Sequence, residues 1–299
     1  MRITDLVGNT PLLELRNIAS SVPGVRLSAK AEFCNPSGSV KDRAAKAMLL
    51  DGIRRGALTP ERGIIDATSG NTGIAYAMLG AARGYAVTLY MPANTGEVRK
   101  GIISRFGASI VETDPLEGSD GAYLAARAAV ERHPERWFYP DQYNNPANPL
   151  AHYEGTGPEI WRQSGKQVSH FVASMGTSGT FVGVSRRLKE YNPRIHCAAV
   201  QPDSPFHGIE GTKHMDSTIR PGIFDEGLVD AVITVSTEQA YAMTRRLAAE
   251  EGILAGVSSG CNVHAALSLA ATLPPGSFVV TVLCDSGNRY IFDPFWREW

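Results

Sequence analysis

The sequence predicts an α/β protein: two doubly wound, three-layer α/β/α domains with mostly parallel sheets. Three observations carry that expectation. Short runs such as "GIIDA" (63–67), "HFVAS" (170–174) and "FVVTVLCD" (278–285) are apolar without the polar alternation of a half-exposed strand, and strands apolar on both faces belong to sheets covered on both sides. Segments with helical spacing separate these runs, as crossovers between parallel strands require. The runs fall into two series with a break near "NNPANP" (144–149), and 299 residues is the length of about two domains.

The first series opens with "GIIDA", followed by a helix ending near Arg83. "AVTLYM" (86–91) precedes a helix through Phe106, "SIVET" (109–113) precedes the helical "GAYLAARAAVERH" (121–133), and "WFYP" (137–140) closes the series. In the second, "HFVAS" leads into "TFVGVSRRLKEY" (180–191). "HCAAVQP" (196–202) is a strand, and "AVITVS" (231–236) precedes the helix "TEQAYAMTRRLAAEEG" (237–252). "CNVHAALSLAATL" (261–273) precedes the last strand. The stretch 202–222 has no clear periodicity, and loops of that length are often functional.

Bulk chemistry excludes several classes. Lys plus Arg number 29 against 30 Asp plus Glu, so no basic field exists to hold nucleic acid or an anionic membrane. Cys34, Cys197, Cys261 and Cys284 are scattered, without the spacing of a disulfide framework or a metal site. No apolar run approaches the roughly 18–20 residues of a membrane span. "MRITDLVGNTPLLEL" lacks a signal-peptide core. A cytoplasmic protein without metal is expected.

Ligands of open parallel sheets bind outside the carboxyl ends of strands, so three glycine–hydroxyl turns stand out. "GTSGT" (176–180) follows a strand and opens a helix. Gly176 and Gly179 permit a tight turn and close backbone approach. Thr177, Ser178 and Thr180 add hydroxyls, and the helix start offers free N–H groups, a donor set suited to a phosphate. "TSGNTG" (68–73) has the same construction on a smaller scale and suits a carboxylate, with Asn71 offering an amide. "GVSSG" (256–260) formally matches the nucleophile elbow of hydrolases, but a helix and not a strand precedes it. The only His after Ser258 is His264, with no acid between them.

"NPSGSVKDR" (35–43) places Lys41 in the first turn of a helix, where the macrodipole disfavours a cation. Ser39 and Asp42 form an S-x-x-D capping pattern that puts Lys41 near N2. A lysine competent for Schiff-base formation, a phosphate turn and a carboxylate turn together describe a pyridoxal phosphate enzyme acting on an amino acid.

At these residues the chain resembles the cysteine synthase (O-acetylserine sulfhydrylase) family of the tryptophan synthase β-like, fold type II pyridoxal phosphate enzymes. "GNTPLLEL" (8–15), "NPSGSVKDR", "TSGNTGIA" (68–75), "NPANP" (145–149), "TGPEIW" (156–161), "GTSGT" and "GVSSG" occur in the family's order and spacing. "HYEGTGPEIW" (152–161) and "CDSGNRY" (284–290) look most like the B-type enzymes.

The resemblance implies a smaller, mobile domain over 36–145 that carries Lys41 and the "TSGNTG" loop. It implies a larger one, 1–35 with 146–299, that carries the phosphate loop and Ser258, with the active site in the cleft between them. It further implies that Lys41 forms the Schiff base and is the base at Cα, and that Asn71 bonds the cofactor's 3′ oxygen. Gly176, Thr177, Ser178, Gly179 and Thr180 would hold its phosphate, and Ser258 would face the pyridine nitrogen. Thr68, Ser69, Thr72 and Gln142 would take the substrate carboxylate. The implied reaction is β-replacement on O-acetyl-L-serine by a sulfur nucleophile, giving L-cysteine through an aminoacrylate, in a homodimer. A sister reading uses O-phospho-L-serine, or thiosulfate or a thiocarboxylated carrier protein as sulfur donor. Intact Lys41, Asn71 and Ser258 argue against a non-catalytic relative. Two departures are visible: the family's M-S-x-E-R loop is Thr95-Gly96-Glu97-Val98-Arg99, and its R-Y-L-S-T is "RYIFD" (289–293). No regulatory domain like those of cystathionine β-synthase or threonine deaminase is expected.

Overall fold

Every strand expected from the sequence is present in the computed structural model, which describes residues 1–68 and 70–297. Two further strands precede them: β1 (Leu12–Glu14) and β2 (Arg26–Ala31). The chain then runs through α1 (Lys41–Arg54), β3 (Gly63–Ala67), α2 (Asn71–Arg83), β4 (Val87–Pro92), α3 (Glu97–Arg105), β5 (Ser109–Thr113), α4 (Gly118–Arg132) and β6 (Trp137–Phe138). It continues through α5 (Ala147–Ala151), a π-helical turn (His152–Thr156), α6 (Gly157–Gln163), β7 (His170–Ser174), α7 (Gly179–Tyr191), β8 (His196–Pro202), β9 (Ala231–Val235), α8 (Thr237–Glu251), α9 (Val257–Ala270) and β10 (Phe278–Leu283).

Two compact units result: Met1–Val7 with Lys41–Asn148, and Gly8–Val40 with Pro149–Trp299. The smaller holds a parallel sheet in the order β5-β4-β3-β6. The larger holds six strands in the order β1-β2-β10-β7-β8-β9, parallel except for the antiparallel β1–β2 pair.

The strands of the larger sheet lack polar alternation because both faces are buried. Val172, Ala198, Val200 and Val279 face α8 and α9, packing with Met243, Leu247, Val263 and Ala266. Their neighbours Phe171, Ala173, Cys197, Ala199 and Val280 face Phe181, Val182, Val184 and Leu188 of α7. In the smaller unit Ile64, Val87, Leu89 and Met91 pack with α1, α2 and Ile103 of α3. On the opposite face Ala67 meets Ala122, Tyr123 and Ala126 of α4. Helix ends follow local chemistry. Ser236 and Gln239 cap α8 reciprocally, and α2 and α8 stop at Gly84 and Gly252, both left-handed. No helix among the described residues is long and apolar enough to cross a membrane.

Candidate active site

In the larger unit, β7 hands the chain to the "GTSGT" turn through Met175, whose N–H bonds the Val200 carbonyl. Gly176 has no substitute here, because a β-carbon on it would lie 2.2 Å from the Gly211 carbonyl oxygen. Ser178 caps α7 in a left-handed conformation (φ +69°), which costs a non-glycine residue about 1–2 kcal/mol. Its hydroxyl is buried and has no hydrogen-bond partner. The Thr177 hydroxyl accepts the Gly179 N–H at 3.4 Å, and the Thr180 hydroxyl lies 3.3 Å from His152 Nε2. A strained residue whose buried hydroxyl is unsatisfied, at the N-terminus of a helix from Gly179 to Tyr191, is built to receive an anion.

Ser258 is the second residue of α9 and half-buried. An irregular segment with one isolated bridge at Ala255 precedes it, not a named strand, which argues against the hydrolase elbow. One helical turn further, Asn262 accepts the Ser174 N–H at 2.7 Å and donates to the Val282 carbonyl at 2.9 Å. That buried amide fixes the start of α9 against the strand that feeds the phosphate turn.

Residues 284–287 form a second organiser of this unit. On one side Val40 N–H bonds the Cys284 carbonyl and Ser286 N–H bonds the Gly38 carbonyl. On the other, Gly256 N–H bonds the Asp285 carbonyl and Gly287 N–H bonds the Leu254 carbonyl. Arg289 donates to the Ser37 carbonyl and lies beside Gly38, whose φ of +84° and crowded Cα face call for glycine. The segment leading into Lys41 and the turn leading into Ser258 are thus strapped to the same strip. Asp285, wholly buried, accepts the Tyr290 hydroxyl at 2.6 Å.

In the smaller unit Lys41 is half-buried and is the first residue of α1, one position earlier than the capping pattern indicated. Asn71 opens α2. The Thr68 hydroxyl accepts the N–H groups of Gly70 (3.0 Å) and Gly73 (3.3 Å), closing the loop on itself. The Thr72 hydroxyl donates to Gln142 Oε1 at 2.9 Å, and Gln142 Nε2 donates to the Ala67 carbonyl at 2.7 Å. Gln142, some seventy residues further along the chain, therefore ties Thr72 to the residue before Thr68. Ser69 lies outside the described residues. Arg99, from the divergent loop, is buried with its aliphatic stem against Gly70, where any β-carbon would meet it at 2.6 Å.

One residue of this unit escaped the sequence reading. Asp66 is fully buried one residue before Ala67 and accepts the Tyr76 hydroxyl at 2.9 Å. Its only sequence signal is an acid in the otherwise apolar "GIIDA". The 202–222 stretch folds back on the phosphate turn: Lys213 N–H bonds the Met175 carbonyl at 2.7 Å, and Lys213 is buried. Arg220 instead sits at the surface, paired with Glu226 at 2.8 Å and over the Phe224 ring. Among the described residues no cluster of three or more His, Cys, Asp or Glu could hold a metal ion.

A chain with two parallel-sheet units and two glycine–hydroxyl turns that open helices belongs, by comparison with known families, to a defined class. The family described as pyridoxal-phosphate dependent enzyme matches residues 3–285. Within that class the chain belongs to the cysteine synthase family. It is 51% identical over 294 residues to a cysteine synthase of Aquifex aeolicus, covering 97% of this chain and 90% of that one. It is 43% identical to cysteine synthase B of Salmonella typhimurium, covering 95% and 92%. Among solved structures, an O-ureido-L-serine synthase matches with a TM-score of 0.93 and 37% identity, over 99% of this chain and 95% of that one.

The family's cofactor, pyridoxal phosphate, is one the "GTSGT" turn fits. The unsatisfied Ser178 hydroxyl, the neighbouring threonines and the α7 N-terminus are the donors a phosphate needs.

Proposed function

We propose that the chain makes L-cysteine from O-acetyl-L-serine and a sulfur nucleophile, by β-replacement with pyridoxal phosphate. The observation that carries the reading is the buried, partnerless Ser178 hydroxyl at the head of α7, in a chain half identical to a cysteine synthase. Gly176 to Thr180 would hold the cofactor's phosphate, Asn71 its 3′ oxygen, Ser258 its ring nitrogen and Lys41 its aldehyde. When bound, the cofactor supplies an electron sink for the pair left at Cα.

The rest is work for the chain. Thr68, Ser69, Thr72 and Gln142 orient the substrate carboxylate. Lys41, displaced by the incoming amine, takes the Cα proton and returns it. Ser258 offers a neutral hydroxyl in place of a carboxylate. It does not enforce protonation of the ring nitrogen, which favours elimination of the β-substituent over transamination. Acetate leaves, sulfide or an equivalent adds at Cβ, and cysteine departs in ping-pong order. From the resemblance alone, we place the reaction in the cytoplasm and the protein in a homodimer. Sedimentation velocity of the holoenzyme checks the latter, and a single monomeric species would overturn it.

One observation supports the sister substrate. Phosphate as a leaving group carries nearly two charges and is best met by a fixed cation. Lys213 is buried and hydrogen-bonded through its backbone to the residue before Gly176, whereas Arg220 is held at the surface. The test compares kcat/KM for O-acetyl-L-serine and O-phospho-L-serine, with sulfide, thiosulfate and a thiocarboxylated carrier protein as donors. The expected result is preference for the acetyl ester. A preference for the phosphoester that Lys213→Ala abolishes selectively would install the sister reading.

A further inference from the structure

Asp66 raises a physical question that the reaction as proposed does not use. It is wholly buried in β3, between Ile65 and Ala67, and a buried carboxylate persists only where donors surround it. The Ala67 N–H donates to Oδ1 at 2.8 Å and the Tyr76 hydroxyl to Oδ2 at 2.9 Å. The backbone N–H of Gln142 also favours the charged carboxyl.

These donors are not a random set. Ala67 immediately precedes Thr68. Tyr76 lies one helical turn after Thr72 on α2, with its side chain fully buried. Gln142 is the third of them, and its side chain returns to Thr72 and to the Ala67 carbonyl. One inward carboxylate therefore bonds the two pieces of chain that carry Thr68 and Thr72 and is favoured by the N–H of the third, Gln142. We infer that Asp66 is a positioning residue for the substrate's α-carboxylate, ordering that side of the site through Ala67, Tyr76 and Gln142 without touching the substrate. This rests on the reading of Thr68, Thr72 and Gln142 as carboxylate contacts.

The same geometry makes the device sensitive to pH. Burial pushes the Asp66 carboxyl up; the Ala67 N–H and Tyr76 hydroxyl oppose this, the Asp141 charge adds to it, and the balance is about 7. The groups facing it are Tyr76 on α2, and Asp141, Tyr139 and Tyr143 on the segment after β6; on β4 the paired residue is Leu89. Burial, and then the Asp66 charge, holds all three phenols well above their usual range, so they stay neutral. When Asp66 takes up a proton it competes as a donor, and the Tyr76 hydroxyl is left with the Met48 sulfur at 3.9 Å, a weak acceptor.

The test uses the holoenzyme and separate Michaelis constants for O-acetyl-L-serine and for sulfide, which has no carboxylate. In the parent, KM for O-acetyl-L-serine rises as pH falls through about 7. Asp66→Asn, similar in shape but with an amide N–H where an acceptor stood, raises that KM roughly tenfold, leaves KM for sulfide unchanged and removes the inflection. Tyr76→Phe deletes one donor to the charged form and moves the inflection up by about one unit. Equal changes in both KM values, or an inflection that neither substitution moves, would overturn the inference. If Asp66→Asn yields no soluble holoenzyme, Tyr76→Phe decides alone: an unmoved inflection rejects the idea. Thr72→Val and Gln142→Ala separate the two readings. If they leave KM for O-acetyl-L-serine unchanged, the carboxylate contacts fall and this inference falls with them. If they raise it while Asp66→Asn and Tyr76→Phe do not, only this inference falls.

Discussion

The two glycine–hydroxyl turns read almost alike in sequence, yet they differ in what they leave for a ligand. In "GTSGT" the Ser178 hydroxyl is buried without a partner on a strained residue. In "TSGNTG" the Thr68 hydroxyl accepts two backbone N–H groups of its own loop, and the Thr72 hydroxyl is committed to Gln142. The first turn is incomplete without an anion. In the second the Thr68 and Thr72 hydroxyls are already engaged, and a ligand that uses them must replace an existing bond. A permanently held cofactor phosphate suits the first; a substrate carboxylate that comes and goes suits the second. A carboxylate bound at the second would compete with the Thr72–Gln142 bond, which would keep its affinity modest, as a turnover enzyme needs.

Substitutions can break or sharpen that contrast. The largest expected effect belongs to Lys41→Ala, which lies in neither turn and sets the scale. Cysteine formation drops by roughly 10²–10⁴-fold while the thermal midpoint stays within a few degrees. Near-parent turnover by the purified variant would remove Lys41 from the chemistry. Next comes Gly176→Val. Its β-carbon would collide with the Gly211 carbonyl, so pyridoxal phosphate affinity falls at least tenfold, read by absorbance titration of the apoprotein. Unchanged affinity would place the phosphate elsewhere.

Ser178→Ala tests the contrast itself. In the apoprotein, removing a buried unsatisfied hydroxyl is neutral or stabilising by up to about 1 kcal/mol, whereas cofactor affinity drops by a comparable amount, or several-fold. Denaturant melts of apo and holo forms should therefore move in opposite directions. A parallel loss in both would show that the hydroxyl has a structural partner. The smallest effect is expected for Arg220→Ala, an exposed ion pair worth no more than about 1 kcal/mol. Its kcat/KM for both serine esters should match the parent, and a selective loss with O-phospho-L-serine would place Arg220 at the site.

The covered strands were legible because burial on both faces leaves an apolar run that needs no partner to be recognised. The turns were legible because glycine and hydroxyl residues cluster where backbone geometry demands them, as at Gly176. What was not legible depends on distant residues. The strand β2 reads "RLSAKA", with a lysine in its middle. Lys30 is fully buried there because Glu159, far along the chain, pairs with it at 2.6 Å and the Thr10 hydroxyl accepts from it at 2.7 Å. No local pattern announces such a pair, so the strand was passed over. Asp66 was missed for the same reason: its donors come from α2 and from the segment after β6. Lys213 and Arg220 lie in one stretch without periodicity, and only the bond to Met175 and the pairing with Glu226 part them.

The place of β10 in the larger sheet has a consequence for how the chain is made. Phe278–Leu283 pairs with Arg26–Ala31 on one side and with β7 on the other. A ribosome therefore releases β1 and β2 long before the strand that joins them to β7 exists. During that interval β2 presents an open edge, which is prone to pair with other chains. The smaller unit, nearly continuous from Lys41 to Asn148, can assemble meanwhile. Nascent chains halted before Phe278 would show a protease-resistant smaller unit beside an unprotected β1–β2 segment, and the larger sheet would close only when the last strand arrives.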